Sequence, residues 1–92
     1  MFYTEFEAII NAVRKGGLSG EKLIDTIISQ IDSRKIYDSD DILSSDIYFT
    51  LMHYASGEEQ ITDAEWVYFL QCLKGERSYS LDDKNEKMAG RL

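Results

Sequence analysis

Few residues in this chain are of a type that does chemistry. His53 is the single histidine and Cys72 the single cysteine among 92 residues. A two-histidine metal motif, a cysteine-based zinc cage and an internal disulfide are therefore all excluded within the chain. His53 neighbours Phe49 and Tyr54 and reads as a partly buried or surface side chain rather than a general base. Cys72 sits beside apolar positions and reads as a small, buried or half-buried hydrophobe. Gly16, Gly17 and Gly20 are not followed by Gly-Lys-Ser/Thr, so they do not make a phosphate-binding loop. Asp38-x-Asp40 resembles the opening of a calcium loop. Leu43, however, stands where that loop needs glycine, and Phe49 where it needs a bidentate glutamate. The chain is expected not to be an enzyme and to use no cofactor or metal.

What remains is carboxylate. The chain has 17 acids against 10 bases, a net charge of −7. The imbalance is local. From Ile36 to Leu73 there is no Lys and no Arg, while Asp38, Asp40, Asp41, Asp46, Glu58, Glu59, Asp63 and Glu65 all fall there. Outside that stretch acids and bases nearly cancel. Such a surface repels phosphate backbones, so direct nucleic-acid binding is not expected. A solvated face that keeps the protein soluble is the plain reading. The functional reading is a docking surface for a basic protein partner, steered by the summed field. Tyr37, Tyr48, Tyr54 and Tyr68 lie in the same stretch, and tyrosine brings apolar area and a hydroxyl together at interfaces. The candidate partner-binding residues are Asp38, Asp40, Asp41, Asp46, Tyr48, Tyr54, Glu58, Glu59, Asp63 and Glu65.

Four helices are expected to position them. Phe6, Ile9, Ile10 and Val13 recur at helical spacing over 4–15, with Thr4 and Glu7 placed for a capping box and Gly16-Gly17 as the stop. Leu23, Ile24, Ile27, Ile28 and Ile31 predict a second helix over 20–34, opened by Ser19 and closed by Arg34 and Lys35. Leu43, Ile47, Leu51, Tyr54 and Ala55 predict a third over 41–56. Ile61-Thr62-Asp63-Ala64-Glu65-Trp66 combines a capping box with a hydrophobic staple and opens a fourth over 63–74. The expected fold class is all-α: a small antiparallel four-helix bundle over 1–75 with a polar, flexible or partly helical tail over 76–92. The acids then form two clusters at opposite ends of the third helix, roughly 22 Å apart at 1.5 Å per residue.

Composition agrees with a single domain. Hydrophobic residues make up 43% and charged residues 29%, values of an ordinary globule rather than a disordered chain. No apolar run is long enough to span a membrane. Met1-Phe2-Tyr3-Thr4-Glu5 has neither a basic nor an apolar leader region, so the expected location is cytoplasmic.

The first helix ends at Arg14-Lys15-Gly16-Gly17-Leu18-Ser19 and the second opens at Glu21-Lys22-Leu23. With the helix order and the acidic second half, this resembles the bacterial immunity proteins of the colicin D type, including immunity partners of contact-dependent inhibition toxins. The resemblance covers roughly residues 4–75 and carries no invariant motif. It implies a helical bundle that plugs the active site of a cognate toxin, often a tRNA-cleaving nuclease, with carboxylates standing in place of RNA phosphates. It implies no catalytic residue. The expected function is thus an acidic binding protein that neutralises a toxin or nuclease domain by occluding its basic cleft, acting as a monomer or dimer. The alternatives are a phage-encoded acidic inhibitor or nucleic-acid mimic, and a self-associating helical regulatory subunit.

Overall fold

The computed structural model describes residues 2–80, and over these the chain forms five helices and no strand. They are α1 (Tyr3–Arg14), α2 (Gly20–Gln30), α3 (Ser33–Asp38), α4 (Ile42–Ala55) and α5 (Asp63–Leu73). Three of the four expected helices appear within a residue of their expected ends. The all-α class holds, whereas the four-helix architecture does not.

The second expected helix, 20–34, is interrupted. Leu23 and Ile27 are buried as the apolar period requires, but Ile31 leaves the helix with extended backbone angles. Asp32 is also extended, and its Oδ1 accepts the Arg34 amide at 2.9 Å. An aspartate that caps a new helix competes with continuation of the old one. The short α3 that results buries Ile36 beside Ile31 in the core. Arg34 and Lys35, read as the closing bases of a long helix, belong instead to α3.

The start of α1 also differs. The helix begins at Tyr3, after Phe2 in the left-handed region at φ 55°. Thr4 is therefore inside the first turn, and the capping box expected from Thr4 and Glu7 is replaced by the backbone bond from the Phe6 amide to the Phe2 carbonyl. Ser19 stands at the N-cap of α2 without a side-chain capping bond. At α5 the Thr62 half of the expected box is present: Thr62 Oγ1 accepts the Glu65 amide at 3.3 Å.

α1 packs on α5 and on α2, while α2 and α3 pack on α4. The core takes Phe6, Ile9, Ile10 and Val13 from α1, Leu43, Ile47 and Leu51 from α4, and Trp66, Tyr68, Phe69 and Leu70 from α5. Removing these apolar faces from water is the main favourable term. Over the described residues, the chain stays on this core after Gly75. Tyr68 is fully buried, and its hydroxyl both donates to the Ser80 carbonyl at 2.9 Å and accepts the Ser80 amide at 2.6 Å. The Arg77 guanidinium lies 5.1 Å from the Tyr68 ring centre. The tail expected from 76 is thus docked over its first five residues. The rest of it, 81–92, lies outside the described residues.

Candidate functional site

The eight carboxylates of the base-free stretch fall into two kinds. Four are engaged in holding the fold. Asp41 Oδ2 accepts the Tyr3 hydroxyl at 2.8 Å and the Ser44 hydroxyl at 2.6 Å, tying α1 to the start of α4. Burial pushes its carboxyl up, but the Ser44 and Tyr3 donors outweigh this and hold it below the usual carboxylate range. Asp46 accepts the Tyr79 hydroxyl at 2.6 Å and the Thr50 hydroxyl at 3.4 Å. Asp63 receives a two-pronged bond from Arg14, at 2.7 and 3.2 Å, on an exposed face; this pairing lowers its carboxyl. Glu65, expected on a docking surface, is only 1% exposed and belongs to the interior of α5.

The other four face solvent. Asp38 ends α3 and Asp40, at φ 55°, forms the turn into α4; both are exposed. Aspartate is among the few side chains that tolerate that left-handed geometry. Glu58 is exposed and Glu59 half-buried at the other end of α4. Their position follows from how that helix stops. The Gly57 amide bonds to the Tyr54 carbonyl and the Glu58 amide to the His53 carbonyl, with Gly57 at φ 81°. This pair of bonds is the αL turn that glycine allows at a helix C-terminus. It brings Glu58 Oε2 to 3.8 Å from His53 Nε2 and Glu59 Oε2 to 3.8 Å from His53 Nδ1. Among the described residues none of these four acids is paired with Lys or Arg.

Between the two ends runs an apolar row of which the expected site held only Tyr48. Ile42 is 72% exposed, Tyr37 62% and Phe49 41%. Phe49 is the hub: its ring meets Tyr37 edge-on at 6.0 Å and Tyr48 edge-on at 5.8 Å, with the His53 ring at 6.4 Å. Ile42 and Phe49 are seven residues apart and His53 four further on, so they share one side of α4. The side facing the core carries Leu43, Ile47, Leu51 and Ala55. The signal was present in the sequence: α4 holds more large apolar residues than one stripe uses. Of the two expected tyrosines, half-buried Tyr48 belongs to this row. Tyr54 instead packs edge-on against Trp66 at 5.5 Å and serves the core.

Two grooves flank the row. One, of about 660 Å³, is lined by Tyr3, Asp40, Asp41, Ile42, Cys72 and Tyr79. The other, of about 440 Å³, lies at the α2–α3 break and includes Ile28, Ile31, Lys35 and Tyr48. No group of three or more metal-ligating side chains is assembled among the described residues, and no helix there is long and apolar enough to cross a membrane. Comparison with known proteins found no matching family model, no matching curated protein and no matching solved structure.

Proposed function

We propose that this chain is a small acidic binding protein that neutralises a basic protein partner, a toxin or nuclease domain, by covering its substrate cleft. The observation that carries the reading is the pairing of solvent-facing Asp38, Asp40, Glu58 and Glu59 at the two ends of α4 with an exposed aromatic row between them. Carboxylates not paired with Lys or Arg raise the rate of encounter with a basic surface, and desolvated aromatics slow its departure. The mechanism is occlusion, and it asks no catalysis of this chain. A self-associating helical subunit is the second reading, because the same apolar row would suit it. A second copy, however, brings like charge to each acidic end.

The test begins with the protein captured from the native host and purified. Its enzymatic activity, nuclease activity first, is titrated with this chain. Inhibition should be complete near one equivalent. Raising salt should weaken the complex, since screening acts over about 8–10 Å near physiological ionic strength. Reversal of Asp38 and Asp40 to Lys, or of Glu58 and Glu59 to Lys, should slow association. A captured protein whose activity is untouched at saturation, or a complex insensitive to salt and to both reversals, would sink the reading.

A further inference from the structure

We infer that the outer face of α4 is a docking track for a basic amphipathic segment of the partner, with apolar anchors in its middle and Lys or Arg at both ends. This rests on the reading of the chain as a binding protein for a basic partner. It differs in what it makes the anchor: Phe49 and its neighbours rather than the carboxylates.

The order of groups along the face carries the argument. At one end stand Asp38 and Asp40, both exposed. Then come Ile42, exposed at the first position of α4, and Phe49 with Tyr37 and Tyr48 set edge-on around it. At the far end His53 leads into Glu58 and Glu59. The sequence is acid, apolar, acid. α4 has 14 residues, which at 1.5 Å per residue sets the two acidic ends about 20 Å apart. A partner helix of about 14 residues, or an extended segment of about six, covers that distance. The last carbonyls of α4 add negative partial charge at the Glu58–Glu59 end, which favours a cation there. Arg34 and Lys35 also belong to α3, with Lys35 in its last turn. They stand four and three residues before Asp38 on the same helix, whereas Asp40 lies beyond α3 in the turn into α4.

Charge also decides between occupants. An apolar row this exposed is commonly covered by another protein surface. A second copy of this chain would set acids against acids wherever the two tracks overlap, whereas a basic segment meets complementary charge at both ends. The exposed parts of Phe49 and Tyr37 offer ring surface to an inserted aliphatic or aromatic side chain.

The probe is a 14-residue synthetic helix with two Lys at each end and Leu and Trp along one central face. A permuted peptide of equal composition, with Lys in the centre and apolar residues at the ends, is the control. Binding to the full chain is followed by amide shifts and by titration at low salt. The first peptide should shift Ile42, Tyr48, Phe49 and His53 and bind at least about tenfold tighter than the permuted one. Phe49→Ser with Ile42→Ser should weaken it by about tenfold or more. Ile42 is largely exposed and Phe49 partly so, and an unchanged circular dichroism spectrum keeps the comparison valid. As a second variant, Glu58→Gln with Glu59→Gln should reduce binding and its salt dependence. The inference is overturned if the two peptides bind equally, if the shifts map elsewhere, if no binding occurs, or if sedimentation shows a dimer that Phe49→Ser abolishes. Failure of the proposed function reads differently: peptide binding would persist on this face while the captured partner kept its activity.

Discussion

Asp41 and Asp46 each accept a tyrosine hydroxyl, and the two tyrosines come from opposite ends of the described chain. Burial, then the bond to Asp41, pushes the Tyr3 phenol up from 10.0 to about 12. Burial, then the bond to Asp46, raises Tyr79 further still. A phenol raised on folding favours its neutral form in the native state. The stability it contributes is whole below pH 10 and is lost as pH rises through the folded value. The melting temperature should therefore fall steeply above pH 10, and Tyr3→Phe with Tyr79→Phe should flatten that fall. Phenolate absorbance gives the check: the double Phe variant should lose late-titrating amplitude relative to the parent chain, and an unchanged titration curve above pH 10 would refute it. Asp41 works in the opposite direction, because a lowered carboxyl contributes above the ordinary aspartate range and is lost in acid. Reversing Asp41 would for that reason damage the fold before it reported on a partner. Trp66 offers a cleaner residue-scale measurement. It is buried against Phe69 and Tyr54, and Trp66→Ala should cost about 3–5 kcal/mol in denaturant unfolding. A loss below about 1 kcal/mol would put the ring outside the core.

One side chain, Asp32, caps the break between α2 and α3. Asp32→Ala removes the acceptor of the Arg34 amide and should destabilise by about 1 kcal/mol. If the variant instead gained both helicity and stability, the interruption would owe nothing to the cap. The case also shows what the sequence makes legible. Helices α1, α4 and α5 follow from local signals, a period of three to four residues with glycine stops, and their ends lie close to those expected. The break does not, because Ile31 and Ile36 are both apolar and Arg34-Lys35 imitates a helix C-terminus. Tertiary packing chooses to bury both isoleucines. The candidate site divides in the same way. Asp38, Asp40, Glu58, Glu59 and Tyr48 follow from the charge map and the tyrosine count. Phe49 and Ile42 do not, since α4 is apolar on two sides and only its contacts with α2 and α3 decide which side is covered. The capping motif sets the backbone at Glu65 correctly but says nothing of its burial. Asp41, Asp46 and Asp63 look free in sequence because their partners lie 38, 33 and 49 residues away.

At the scale of the whole molecule, residues 76–80 after α5 pack as part of the fold. Stopping the chain after Gly75 removes the Tyr79–Asp46 bond, both Tyr68–Ser80 bonds and the Arg77 contact on Tyr68. It also leaves a buried hydroxyl to find a new partner. The expected cost is about 2 kcal/mol, from net hydrogen-bond values near 1 kcal/mol each with partial replacement by water. Equilibrium unfolding of the truncated and full chains measures it. Equal stability would mean that residues 76–80 rest on the surface without holding it. The change of composition after Gly75 marks the end of α5 correctly, but polarity conceals docking that works through hydroxyl and backbone groups.

Tyr3 and Tyr79 line the same groove, and their carboxylate partners are little more than one helical turn apart. In mechanical terms the described chain is a loop closed by a clasp. A pull applied at residues 3 and 79 loads two short hydroxyl–carboxylate bonds in series through the start of α4, so each carries the whole load and the weaker sets the force at which the clasp opens. Once either gives way, tension passes to the helices behind them. Force applied across the Gly57 turn meets no such clasp and passes directly to the end of α4.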